Sequence, residues 1–298
     1  MLKRNWLFSL LACLSCWGVA IPVKGQALLP YAVEPDSEKL EQQGLKLIQD
    51  AAQLVAFGQY DMAFPRARLA TQLAPNQFQS WFILGTLYLQ KEEYPQAIEN
   101  LEKARSLAPD REGILFTLGS TYFRKGDYRA AIRELEAGLK LKPDSPNAPS
   151  ALFDLGNAYL KVEQYSRAIA AYQKAHKIDN KYWAAVNNIG LVKYEQGDVD
   201  EAIETWQNAL KIEPNQPEPQ LAIAVALYRK GQRDNRSFKL AETALKTDNR
   251  YANLEFLEEN LWGRRLLRDT RAFLATPQMK VILARIEQGS SKVEVDPL

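Results

Sequence analysis

Trp81-Phe82-Ile83-Leu84-Gly85-Thr86-Leu87-Tyr88 decides the fold, because the chain says it again. It returns as Leu115-Phe116-Thr117-Leu118-Gly119-Ser120-Thr121-Tyr122, as Leu152-Phe153-Asp154-Leu155-Gly156-Asn157-Ala158-Tyr159, and as Val186-Asn187-Asn188-Ile189-Gly190-Leu191-Val192-Lys193. Gly85 to Gly119 and Gly156 to Gly190 are each 34 residues, and Gly119 to Gly156 is 37, one period plus three. Two further sets keep the phase: Ala97, Ala131, Ala168 and Ala202, then Pro75, Pro109, Pro143, Asn180 and Pro214. A period of this length marks one supersecondary unit repeated in an array.

Within a unit the physics is that of a helical hairpin. Trp81, Leu84, Leu87 and Tyr88 share a helical face, and Tyr94, Ala97, Ile98, Leu101 and Ala104 form the stripe of a second helix. Gly85 and Ala97 are small where the two helices would cross, so the backbones can approach. Lys91-Glu92-Glu93 makes the turn, where Gly58, Gly126, Gly197 and Gly231 stand in other units, and Pro109 ends the unit. One hairpin cannot bury both stripes, so neighbours must stack.

These residues resemble the tetratricopeptide repeat family over about residues 44–251. The units read as 44–77, 78–111, 112–145, 149–182, 183–216 and 217–251, with the three extra residues in Ser145-Pro146-Asn147-Ala148-Pro149, a place for the stack to bend. The first unit is atypical, with Asp50 and Ala51 where others have an aliphatic residue and Gly, and the sixth carries an extra residue in 231–237. The resemblance implies an all-α, right-handed superhelical solenoid of about six helix-turn-helix units with C-terminal capping helices.

The body of the chain is close to neutral. Three of its 38 basic residues lie in the first 27 positions, where there is no acid, leaving 35 basic against 36 acidic. Nothing there indicates a pull on nucleic acid. The N-terminus reads as an export signal: Lys3 and Arg4, an uncharged stretch from Asn5 to Val23, then Gly25-Gln26-Ala27 as a cleavage pattern. An uncleaved anchor over residues 6–23 is the alternative, although Pro22 shortens it, and lipidation at Cys13 is a third. Cys13 and Cys16 both fall in this segment, so a cleaved chain has no disulfide, no thiol nucleophile and no cysteine-ligated metal. Residues 28–43 link to the array, with a helix start at Asp36-Ser37-Glu38.

Beyond 251 the chain reads as a helix through Leu254 to Trp262, helices near 264–274 and 277–288, and a frayed tail over 289–298. Leu254, Leu257, Leu261 and Trp262 suit a cap over the last unit, and Arg264, Arg265, Arg268 and Arg271 make this end basic, suited to an acidic partner or a membrane surface.

No constellation of catalytic residues is apparent. His176 is the single histidine, and the acid pairs Glu92-Glu93 and Glu258-Glu259 do not converge on one point of a helix. No second His or Cys builds a zinc site, no glycine loop cradles a phosphate, and no cofactor is implied. The chain reads as a non-enzyme.

The family resemblance places the first helices of each hairpin along a concave groove. It directs Phe82, Phe116, Phe153 and Asn187 inward, followed by Thr86, Ser120, Asn157 and Leu191. At the helix ends it directs Leu89 and Gln90, Phe123 and Arg124, Leu160 and Lys161, Tyr194 and Glu195. Three phenylalanines in consecutive units either form a ladder for a peptide with apolar anchors or tuck between helices as core. Some family members hold chaperone tails in a lysine and asparagine clamp. Asn157 and Asn188 could match its asparagines, but Phe153 stands at a clamp lysine and Glu218 and Ala222 replace the third unit's Lys and Arg. The clamp is absent.

The reading that results is an exported scaffold or assembly factor for client proteins, in a periplasm or thylakoid lumen. The chain resembles exported cyanobacterial and chloroplast repeat proteins, some of which assist photosystem assembly. An adaptor of cell-envelope machinery is the alternative. An enzyme or carbohydrate-binding role of residues 252–298 and self-association through an uncovered repeat face are further ones.

Overall fold

The computed structural model describes residues 36–231 and 235–293, with side chains through 288. The signal-like segment, the first half of the 28–43 link, part of the 231–237 loop and the last residues of the tail lie outside the described residues. Among the described residues, those up to Leu40 and those from Glu41 onward form separate units. In the former, Asp36 opens a helix: its Oδ1 accepts the Lys39 amide at 3.2 Å and its carbonyl accepts the Leu40 amide.

Helices then alternate with short turns. In chain order they are α1 (Ser37–Ala56), α2 (Tyr60–Leu73), α3 (Phe78–Gln90), α4 (Tyr94–Leu107), α5 (Glu112–Lys125) and α6 (Tyr128–Leu141). Then come α7 (Ala148–Lys161), α8 (Tyr165–Ile178), α9 (Trp183–Gln196), α10 (Val199–Ile212), α11 (Pro217–Arg229) and α12 (Asn235–Thr247). Among the described residues there is no strand. Each odd helix from α3 to α11 packs on the even helix after it, and each even helix from α2 to α10 on the odd helix that follows. That is the stacking a solenoid needs, since each hairpin leaves one stripe for its neighbour.

The crossings explain the glycines. A Cβ on Gly85 would lie 2.8 Å from Leu101, and one on Gly119 would lie 2.5 Å from Leu135. On Gly156 it would meet Tyr172 at 2.4 Å, and on Gly190 it would meet Trp206 at 2.4 Å. The opposing side chain grows along the array from Leu to Tyr to Trp, and all four are fully buried. In the first unit the same register holds Ala51 and Ala67, both buried, so the missing glycine is balanced by a missing bulky residue.

Turns between paired helices share one conformation. Gly58, Gly126, Gly197 and Gly231 have positive φ, and Glu92 and Glu163 adopt it at 61° and 59° in the two units without the glycine. At these positions the next amide reaches back five residues, as Glu93 N to Tyr88 O and Gln164 N to Tyr159 O do, closing the helix with a left-handed cap. The extra residues before α7 are absorbed without parting the core. Ser145 is buried, its hydroxyl donates to Glu112 at 3.1 Å, and a single apolar cluster runs from Phe116 through Ala131, Leu155 and Tyr172 to Val192.

After α12 come a 3-10 turn (Asn249–Ala252), α13 (Leu254–Glu259), α14 (Arg264–Leu274) and α15 (Pro277–Val293). Here a cap over the last unit is an incomplete description. The 3-10 turn and α15 pack on α12, while α14 lies against α11 and α9, the first helices of the sixth and fifth units. Leu257, Trp262, Leu266, Phe273 and Met279 are all but fully buried in one core with Trp206, Leu221 and Phe238. Burial on that scale, about 1.5–3 kcal/mol for each large apolar side chain, makes the segment a fixed part of the fold. Among the described residues no helix is long and apolar enough to cross a membrane.

Candidate protein-binding surface

The face built from the first helices carries the candidate groove, and the structure divides it in two. Along α3, α5 and α7 it is open. Gln90, Arg124 and Lys161 are exposed at the helix ends, and Phe82, Thr86, Leu89, Ser120 and Phe123 are half-buried between them. Along α9 and α11 the chain's own C-terminal segment covers it.

The covered half is held by specific contacts. Glu195, at the end of α9, caps α14: its two carboxylate oxygens accept the Arg265 amide at 3.1 Å and the Leu266 amide at 3.0 Å. A carboxylate there also favours the positive end of the helix dipole. The approach is close enough that a Cβ on Gly263 would lie 2.2 Å from Glu195 Cδ. The Tyr194 hydroxyl donates to Asp269 at 2.9 Å, and the Trp262 indole N–H donates to Glu218 at 2.9 Å. Arg264 pairs with Glu163 at 3.0 Å. Leu261, which precedes Trp262, has φ 67°, a left-handed conformation unusual for a Leu and kept here by the packing on both sides.

Two expected groove residues are therefore not open to a partner. Asn187 and Tyr194 are buried, the former 1% and the latter 0% exposed. For Tyr194 the reason is tertiary, since Asp269 of α14 reaches it from 75 residues away, whereas Asn187 is enclosed within the array, its side-chain amide donating to Asn188 and its carbonyl accepting from Trp206. Asn157 is buried as well. Its Oδ1 accepts from Tyr172 at 2.8 Å and from the Asn188 amide at 3.0 Å, so the two asparagines that could match a clamp are bound to each other's network.

The three phenylalanines are packing residues first. Phe116 is 8% exposed and sits over Gly138, where a Cβ would come within 2.6 Å of its ring. Phe153 packs against Tyr172 and Tyr182 at centroid distances of 5.7 and 5.1 Å. Phe82 joins the cluster of Trp81, Leu101 and Ile114 and is half-buried. A continuous aromatic ladder does not form, because the second helices leave room for these rings where small residues such as Gly138 stand.

Three ionisable groups escape a reading by sequence alone. Asp154 sits between first helices and accepts from the Ser120 hydroxyl; burial pushes its carboxyl up, and that hydrogen bond opposes the shift. Glu218 is fully enclosed, and burial raises it to about 7 against the lowering effect of Trp262 and Asn187. Asp269 is buried on α14 between Tyr194, Arg229 and Arg268. An acid inside an apolar stripe, as in Leu152-Phe153-Asp154-Leu155, is the one signal that marks such groups in a sequence. His176 is half-buried with Nδ1 lacking a partner, and among the described residues no group of His, Cys, Asp and Glu could hold a metal ion.

Stacked helical hairpins presenting a continuous first-helix face define a class: repeat scaffolds that bind proteins. Comparison with known proteins agrees. A family described as tetratricopeptide repeat matches residues 116–182 and one described as TPR repeat matches 190–231, while ChAPs, the Chs5p-Arf1p-binding proteins, matches 29–112. The chain thus carries tetratricopeptide-type repeats over 116–182 and 190–231. It is 41% identical over 58 residues to a STIP1 homolog of Dictyostelium discoideum, an alignment covering 20% of this chain and 10% of that protein. The solved structure of MamA aligns with a TM-score of 0.50 at 27% identity, covering 57% of this chain and 96% of that one. YrrB, described as a TPR protein with an unusual peptide-binding site, aligns with a TM-score of 0.53 at 20% identity over 65% of this chain and 95% of its own.

Proposed function

We propose that the chain is an exported scaffold or assembly factor that holds a segment of a client protein on the open face of α3, α5 and α7. The observation that carries this is the division of the first-helix face. One half is sealed by the chain itself, and the other keeps half-buried apolar side chains (Phe82, Leu89, Phe123) beside polar ones (Thr86, Gln90, Arg124, Lys161). Mixed apolar anchors and hydrogen-bonding rims suit an extended or helical peptide. The role needs no catalytic group, and no cofactor enters it. Export is supported by the basic, apolar and small-residue order of the first 27 residues. Whether the clients are photosynthetic complexes or envelope machinery follows from their identity.

The test is affinity capture from a membrane extract with the full chain and with a Thr86→Arg, Gln90→Arg variant. These positions place bulk on the open face without emptying the core. Proteins captured by the parent and lost from a variant of unchanged helicity support the reading. The same proteins on both would move the site elsewhere. Removal of the N-terminal segment in the exporting cell, seen by mass spectrometry, checks the export reading.

A further inference from the structure

The docking of α14 sorts its side chains by face. Leu266, Asp269, Thr270 and Phe273, spaced by three and four, are buried against α11 and α9. Arg264, Arg265, Arg268 and Arg271 occupy the remaining positions and are exposed, Arg264 by 92% and Arg268 by 66%. α14 sits on first helices, with these arginines on the side it leaves exposed.

The same edge is basic further along. Arg124 and Lys161 end α5 and α7, and Arg229 ends α11 and reaches Asp269 at 3.6 Å. Arg264 is tied to Glu163, two residues beyond Lys161, and Arg265 lies against the turn at Gly197. The ends of α5, α7, α9 and α11 therefore carry one run of cations from the open half to the covered half. The acids on this edge are engaged, Glu92 with Arg124, Glu163 with Arg264, Glu195 with the amides of α14, and Asp269 with Tyr194, Arg229 and Arg268, so Arg265, Arg271 and Lys161 are the cations outside these pairs.

From this geometry we propose that the arginine face of α14, continued by Lys161 and Arg124, is the receptor for an acidic segment of the client polypeptide. The inference rests on the scaffold reading above and names the chemistry of its partner. Guanidinium groups at a spacing of three and four along a helix match carboxylates at the same spacing on a partner helix. Placement on the first-helix face, next to the open stretch of α3, α5 and α7, suits a single polypeptide segment. The overall near-neutral charge makes the run local, so binding depends on position as well as on charge.

Direct binding tests this with the full chain and a fluorescent peptide of about 20 residues built by repeating Glu-Glu-Leu. A peptide with Lys in place of Glu, a single-stranded RNA oligonucleotide and vesicles of one-third anionic lipid run beside it. The acidic peptide is expected to bind, and to weaken about tenfold or more as salt rises from about 50 to about 300 mM. An Arg265→Gln, Arg271→Gln, Lys161→Gln variant is expected to lose binding about tenfold, with its thermal midpoint unchanged. Should that variant melt early, Arg271→Glu alone, on the exposed face, is expected to weaken binding at least threefold. The proposal is overturned if the acidic peptide does not bind, if the substitutions leave its affinity unchanged, or if RNA or vesicles bind and the peptide does not. Loss here with client capture still sensitive to Thr86→Arg would sink the inference and leave the scaffold reading standing.

Discussion

The open and covered halves of the first-helix face are built from the same repeat, yet they ask different things of equivalent residues. In the open half Thr86 turns its hydroxyl to its own helix, onto the Phe82 carbonyl, and Gln90 stands in solvent. In the covered half the matching positions, Leu191 and Glu195, face another part of the chain: Leu191 is buried in the C-terminal core, and Glu195 caps a helix about 70 residues later. The difference teaches that a repeat position has no fixed role. What lies opposite decides whether it is a binding residue or a structural one.

The comparison breaks first at Trp262. The indole is 2% exposed and donates to buried Glu218, so Trp262→Ala is expected to cost about 3–5 kcal/mol in denaturant unfolding. On the open face Thr86→Ala should fall within about 0.5 kcal/mol of the parent. Equal losses at the two positions would erase the distinction between sealed and open halves.

Next comes the pH dependence of the covered half. Glu218 is raised to about 7 in the folded chain from an ordinary value of 4.5. A carboxyl with a raised folded pKa contributes stability that is full below its unfolded value and disappears as pH climbs through its folded value. The window is therefore pH 4.5 to 7, and the contribution amounts to at most about 3 kcal/mol. Stability followed across that window should lose this component in Glu218→Gln. A slope of the same size in the variant would show that Glu218 titrates normally.

Glu195→Ala sharpens the contrast by touching the seam alone. Loss of a helix cap costs about 1 kcal/mol, and hydrogen exchange should quicken at residues 264–270 while amides of α3 to α6 keep their protection. The smallest effect is at the turns. Glu92 and Glu163 hold positive φ where other units have glycine. Glu92→Gly should stabilise by up to about 1 kcal/mol, partly offset by the surface pair with Arg124, while Glu163→Gly also releases Arg264 of the C-terminal segment. Equal gains at both would mean the Arg264 pair contributes no more than the Arg124 pair does.

Legibility followed the range of the interactions. The 34-residue period, the crossing glycines and the hairpin turns are local devices, so the residues that form them announce the helices they build. Phe116 was ambiguous for a physical reason: a Phe at a groove-facing position becomes core when a small residue such as Gly138 lies opposite, and that pairing is visible only across two helices. The apolar stripe of Leu254, Leu257, Leu261 and Trp262 shows that something is covered. It carries no address for what it covers.

By itself the sequence determined an array of stacked helical hairpins, because each unit's apolar stripes and small crossing residues admit one local arrangement and force neighbours to stack. Only the tertiary structure decided which part of that array is open. The C-terminal segment could have capped the last unit alone, and it instead seats Trp262 by Glu218 and α14 on Glu195 and Tyr194. Those contacts join residues 44 to 75 positions apart, and such long-range choices arise from the shape of the finished surface rather than from any periodic signal along the chain.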